Sequence, residues 1–506
     1  MKKGIKNILT SLIVMILCAI TLTGCVANNA SVFEITKQNM LNNSQNITEW
    51  ENTNNNNQAI NTPVTIEQEI SNITVNNEYS QFSTYDNYLA LKENEGYEGT
   101  FSDFLNEYVY NSSTISNPVE ACVNSRLMSV VSIIAEFHSL SSSYPYRETN
   151  KTTDFSAGSG VIYKLDKENG DAYIITNYHV IYSGSYYTSD LTKVTCNNVA
   201  NRIICYLYGT SLNVENIGTA DDGYNTYSYG PYAIECEFLG GSANYDIAVL
   251  KVCNSEILKT SDATQVSTKN CSDIIVGESA IVIGNPEANG FSATAGIVSV
   301  DSEYITMTNV YNVTQQIRVV RIDAPVNGGN SGGGLFDVNG NLIGIVNAKL
   351  VDEEVENIGY AIPSDIAIGI ADNIIKNCNG TDKLNVQKAT LGITLKTIYT
   401  KSVYDTGTLK ANIIETVAID SITANSLADG ILEKNQIIKQ ITIVSKDLDG
   451  NAYNKVIPIT RLYQVVDSTL SLCVGDTITF TIESADGSST SDITFTITQD
   501  SLTTID

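Results

Sequence analysis

The 506 residues carry a formal net charge of −27, are 42% hydrophobic and 17% charged, and have a pI near 4.4. Single cores rarely grow past ~250–300 residues, so this length calls for two or three domains of ordinary globular composition. A chain this acidic, without a Lys/Arg-rich stripe, is repelled by phosphate backbones. That excludes nucleic acid as a partner and leaves the acidity as a solubility device.

In chain order, Lys2, Lys3 and Lys6 precede an apolar stretch from Ile8 to Ile20, the layout of a secretory signal over 1–24. The stretch is too short and too soon polar for a comfortable membrane span. It ends in Leu22-Thr23-Gly24-Cys25, which resembles the lipobox of bacterial lipoproteins. That resemblance implies cleavage before Cys25, a lipid on Cys25, and anchoring at the extracytoplasmic face of the cell membrane. Residues 25–118 are polar and Asn-, Ser- and Thr-rich, too poor in apolar surface to offset chain entropy, and read as a largely disordered tether. Within it, Tyr88 to Tyr110 has apolar residues near helical spacing, with no function assigned.

From Val119 to 380 the pattern changes to short β-branched runs punctuated by Gly, Asn and Asp. They include 129–134, 160–163, 172–176, 246–252, 279–283 and 342–346. Many short strands with few helices predict a β-barrel or sandwich, closed by a helix near 364–376 with Ser364 as N-cap. Residues 384–503 form a third unit of mixed α/β character. Its expected elements are a strand at 391–395, a short helix at 425–429, a longer one at 459–470, and strands at 477–482 and 492–497.

Acyl transfer to a protein nucleophile needs an exposed Ser or Cys, an imidazole, an orienting carboxylate, and amides for the oxyanion. Gly328-Gly329-Asn330-Ser331-Gly332-Gly333-Gly334 offers a tight turn that exposes Ser331 and points the Gly329 and Ser331 amides into one pocket. The chain has two His. His138 ends an apolar run as a structural residue would, whereas His179 follows the strand at 172–176. Asp246 heads another apolar run, where a half-buried carboxylate could orient an imidazole. The two His and the lack of any C-x-x-C pair argue against a zinc site, and nothing calls for a cofactor. Eight Cys remain after Cys18 and Cys25, an even number that permits disulfides; Cys196 with Cys205 is the first pair to test.

Five segments resemble, in order, the protease domain of HtrA/DegP-type trypsin-fold proteases. They are 157–181 (AGSGVIY to YIITNYHVI), 244–252 (NYDIAVLKV), 282–300 (VIGNPE to ATAGIVSV), 322–346 (IDAPVNGGNSGGGLFDVNGNLIGIV) and 359–363 (GYAIP). The order His, Asp, Ser is also that of this fold. The resemblance implies a mainly β protein: two six-stranded barrels with a His179, Asp246, Ser331 triad between them, and an oxyanion hole from Gly329 and Ser331. Pro325, six before the Ser, would line the specificity pocket and favour small or medium apolar side chains. Asn330 stands where activated zymogens carry Asp, so cleavage activation is not expected. Pro325, Gly328 and Gly334 depart from the family's usual Ala, Pro and Pro, and 182–240 reads as an inserted surface loop.

The third unit resembles a PDZ domain. Thr390-Leu391-Gly392-Ile393 is similar to the loop that receives a peptide C-terminus, and the following strand would add the peptide to a sheet edge. Lys434-Asn435 replaces the usual Gly-Asp. Together these resemblances imply a lipid-anchored serine endopeptidase acting on unfolded or exported proteins, of a family that commonly forms homotrimers. The alternative is an inactive protease-fold scaffold or chaperone that binds peptides.

Overall fold

The computed structural model describes residues 117–505 except 143–148, 188–192, 197, 211, 287–289, 349–357, 378–383 and 407–409. Before these it describes 88–89, 91–93, 96–99 and 104. The expected signal segment 1–24, Cys25 and Cys378 lie outside the described residues. Tyr88, Leu91 and Phe104 pack together with Tyr97 as a small aromatic cluster.

After α1 (Pro118–Arg126) the chain enters a first barrel. Its strands are β1 (Val130–Ser142), β2 (Thr149–Asp166) and β3 (Asp171–Thr176), then, beyond the one-turn helix α2 (Tyr178–Ile181), β4 (Arg202–Leu207), β5 (Ile234–Ser242) and β6 (Ile247–Val252). Pairing runs β1–β2–β3–β6–β5–β4 and back to β1, all antiparallel, so the ring closes on itself. Val131, Ile133, Ala135 and Phe137 alternate along β1 into the barrel core. Ile134, on the opposite face, is also buried, under Tyr206 and Tyr229.

The second barrel comprises β7 (Ser279–Gly284), β8 (Ser292–Thr308), β9 (Thr314–Ile322), β10 (Gly334–Phe336), β11 (Asn341–Val346) and β12 (Gly359–Pro363). It closes in the same way, β7–β8–β9–β12–β11–β10 and back to β7. The expected two six-stranded barrels are therefore present. The interval 182–240 is not wholly an insertion: β4 and most of β5 lie inside it, because their apolar runs are needed to close the first ring. The interval also holds two short hairpins, Tyr186–Tyr187 with Lys193–Thr195 and Glu215–Thr219 with Asn225–Ser228, the Glu215–Thr219 strand of the second being exposed.

Helix α3 (Ser364–Asn377) buries Ile366, Ile370 and Ile374 against the inter-barrel core. Then β13 (Leu384–Ala389) joins β5 in parallel. The third unit is the sheet of β14 (Ile393–Asp405), β15 (Lys410–Ile422), β16 (Ile437–Lys446), β17 (Ala452–Pro458), β18 (Thr477–Glu483) and β19 (Thr490–Thr496), covered by α4 (Leu462–Ser468). The expected helix at 425–429 is instead a series of turns, entered by Asn425 at φ 61°, which a helix cannot accept. The last strand, β20 (Leu502–Ile505), returns to pair with β13, so both ends of this unit are stitched to the first barrel.

Candidate active site

His179 lies in α2, immediately beyond β3; Asp246 occupies the turn between β5 and β6; Ser331 sits in the glycine turn between β9 and β10. His179 Nδ1 is 2.6 Å from Asp246 Oδ2, and the His179 N–H donates to Asp246 Oδ1 at 2.9 Å. An ionised carboxylate can only accept, so Nδ1 carries a hydrogen, and the neutral ring held this way has its lone pair on Nε2. Asn347 Nδ2 donates a further bond to Asp246 Oδ2 at 2.7 Å. The Asp246 carbonyl accepts from Asn177 Nδ2 at 2.9 Å and from the Tyr178 N–H at 3.2 Å. These bonds hold the buried Asp246 at φ 51°, a left-handed conformation that costs energy unless its surroundings impose it.

Ser331 is brought to the same place from the second barrel. Its Oγ accepts from the Ala348 N–H at 3.1 Å, and Ala348 follows Asn347, so consecutive residues just past β11 touch the nucleophile and the acid. A Cβ on Gly158 would lie 2.7 Å from the Val180 side chain and 3.2 Å from the Ser331 carbonyl, so this glycine permits the close approach of the two segments. Among the described residues, the Gly329 and Ser331 N–H groups have no acceptor. The Gly329 carbonyl accepts from Ser159 Oγ at 2.7 Å, and that hydroxyl in turn accepts from the Asn285 N–H at 2.9 Å. Two uncommitted amides on a braced turn are what an oxyanion requires.

The glycines after Ser331 serve packing. At Gly332, φ +84°, a Cβ would fall 2.1 Å from the Ser159 carbonyl oxygen and 2.3 Å from Thr176 Oγ1. Gly332→Ala is expected to cost about 1–3 kcal/mol of stability and to slow fluorophosphonate labelling roughly tenfold or more. Thermal unfolding and labelling rates check it.

Pro325 is exposed, and its carbonyl accepts from Thr294 Oγ1 at 2.8 Å; the neighbouring Val326 packs toward Gly359. His138 is half-buried, its Nε2 3.2 Å from Glu136 Oε1 and its ring stacked on Tyr224. The described cysteines are all free. The Cys196–Cys205 pairing is not formed: the Cys196 thiol donates to Asn198 Oδ1 at 2.9 Å, while Cys205 lies in the barrel core beside Cys236. Hydrogen bonding to Cys205, then burial, pushes the Cys236 thiol well up. Burial takes Cys122 and Cys473 to about 11 and Cys271 to about 12, so these thiols stay protonated and inert.

In the third unit, Thr390 is exposed and its N–H donates to the Ser501 carbonyl at 2.7 Å. Leu391 is buried, and its carbonyl accepts from Ala428. Gly392 adopts φ +79°, Ile393 opens β14, and β14 lies at the edge of its sheet. Asn347 and Ala348 lie just past the segment 322–346 and carry no motif signal of their own; Ser159 and Asn177 lie within 157–181, with no individual role to be read there. The only hint was a polar residue closing an apolar strand, as at Asn347.

Residues 158–345 match the family model of the trypsin-like peptidase domain. The Serine protease Do-like HtrA of Lactococcus lactis subsp. cremoris is 29% identical over 352 residues, covering 64% of this chain and 73% of that protein. Its counterpart in Lactococcus lactis subsp. lactis is 32% identical over 262 residues, covering 50% and 52%. That of Bacillus subtilis is 30% identical over 267 residues, covering 52% and 49%. The chain thus spans about half the length of the latter two. A solved structure, the HtrA-type protease AlgW with decapeptide, aligns with a TM-score of 0.39 and 20% identity, covering 75% of this chain and 98% of that one. Two closed barrels and a match to the trypsin-like peptidase domain make this chain a serine-type endopeptidase, similar to the HtrA serine proteases.

Proposed function

We propose that Ser331, His179 and Asp246 cleave unfolded or exported proteins through an acyl-enzyme, in a chain held at the outer face of the cell membrane by a lipid on Cys25. In this reading the Ser331 hydroxyl turns from the Ala348 amide toward His179 Nε2 and gives up its proton as Oγ bonds to the scissile carbonyl carbon. The oxyanion forms against the Gly329 and Ser331 amides, a contribution of ~3–4 kcal/mol per donor. Collapse breaks the C–N bond, and the leaving amine takes the proton from His179. Water then repeats the sequence and frees the acyl group. Asp246 keeps the imidazole tautomer and stabilises the imidazolium. The observation that carries the reading is the short His179 Nδ1 to Asp246 Oδ2 contact beside the two uncommitted amides.

The PDZ-like unit would receive peptide C-termini at Thr390, Leu391, Gly392 and Ile393, with the rest of the peptide added along β14. The buried Ser426 hydroxyl, without a partner among the described residues and next to Gly392, is a further donor for the carboxylate.

One observation favours the inactive-scaffold reading: Ser331 Oγ rests on Ala348 and not on His179. Cleavage of casein by the full chain, beside Ser331→Ala and with a fluorophosphonate probe, separates the two. Cleavage and labelling that both disappear in Ser331→Ala support the protease. A folded wild type that neither labels nor cleaves, with or without C-terminal peptides, leaves the scaffold.

A further inference from the structure

The base and the acid belong to the first barrel and the nucleophile to the second, so their distance depends on how the barrels are held together. On one flank the bridge is polar and buried. The Ser159 N–H donates to the Ser331 carbonyl at 2.8 Å, and Asn285 Nδ2 donates to Ser132 Oγ at 2.6 Å.

The other flank is spanned by the turn between β8 and β9. Asn309 ties this turn, its Oδ1 accepting from the Tyr311 and Val313 N–H groups at 2.9 and 3.0 Å. From it, Tyr311 reaches the first barrel: its hydroxyl is 2.9 Å from that of Tyr178, the residue before His179, and its ring meets Tyr182 edge-on at 5.1 Å. Tyr178 is itself immobilised, packed on Phe238 and against Gly241, where a Cβ would be 2.7 Å from its ring. Asn309 Nδ2 donates to Asn244 Oδ1 at 2.9 Å, and Gln315 Nε2 donates to the Asn244 carbonyl, two residues before Asp246. Helix α2 has no side-chain N-cap: Asn177 gives its Nδ2 to the Asp246 carbonyl, and its buried Oδ1 has no partner among the described residues.

We infer that the β8–β9 turn is a clasp between the barrels. Through Tyr311 on Tyr178 and Asn309 on Asn244, it sets the distance from His179 to Ser331. Tyr311 is thus a positioning residue for acylation, an inference that rests on the triad reading. Tyr311 is 45% exposed, so core packing does not explain a tyrosine there, whereas a hydroxyl partner for Tyr178 does.

The test is a double-mutant cycle with Tyr178→Phe and Tyr311→Phe in the full chain, read as the saturating fluorophosphonate acylation rate and, separately, the probe's binding constant. Each single change is expected to slow acylation roughly 5- to 20-fold, with probe binding and melting temperature unchanged. The double variant should be no slower than the slower single, because both changes delete one interaction. Effects that multiply, unchanged rates, or losses that track melting temperature overturn the clasp while leaving the triad standing. A wild type that does not label overturns both.

Discussion

Asp246→Asn is expected to lower turnover of an unfolded substrate about ten-thousand-fold, with KM and folding little changed. The size follows from the acceptors this one carboxylate supplies. Oδ2 accepts from His179 Nδ1 and Asn347 Nδ2, and Oδ1 from the His179 N–H. An asparagine has one acceptor oxygen and must aim its NH2 at one of these donors. If the NH2 faces His179 Nδ1, that nitrogen becomes the acceptor and the hydrogen moves to Nε2, which can then no longer take the Ser331 proton. If it faces the His179 N–H, two donors oppose each other and the imidazole loses its seat. Steady-state kinetics on casein-derived peptides check this; a loss of under tenfold would remove Asp246 from the proposed mechanism.

The second large effect concerns stability. Arg318, on β9 and only 2% exposed, pairs with Asp467 on α4, and its guanidinium lies 4.1 Å from the centre of the Tyr463 ring. Nearby, Arg461 pairs with Asp301 at 2.9 Å. The third unit is thus seated on the second barrel through ions withdrawn from water. Asp467→Ala would leave a buried guanidinium uncompensated and is expected to cost about 3–5 kcal/mol. Replacing both partners, Arg318→Met with Asp467→Leu, is expected to recover most of that, because the pair must itself offset a large desolvation penalty. Thermal unfolding with limited proteolysis of the third unit reads both variants.

Strands β1, β2, β3, β6, β7 and β11 are legible because their apolar runs are short, β-branched and bounded by turn residues. The residues 425–429 favour a helix locally, but Asn425 and the backbone bonds of Leu391 and Gly392 draw the segment into turns. Reading 182–240 as an inserted loop holds only for the parts outside β4 and β5, for a related reason. Its polar, Tyr-rich stretches outweigh β4, whose role as a barrel strand depends on pairing with β1. Arg318 stands within a run of apolar residues and gives no local sign that a helix about 150 residues away covers it.

His179, Asp246 and Ser331 could be named from the chain, because strand ends and glycine turns are local features and their order is written in it. Their relation could not. That Asn347 and Ala348 touch the acid and the nucleophile, that Asn177 serves Asp246 instead of capping α2, and that Tyr311 reaches Tyr178 depend on the closure of two barrels and on how they meet. Local residue pattern governs which backbone states a segment prefers. Distances between side chains far apart in sequence are set only when burial of both cores brings those segments together.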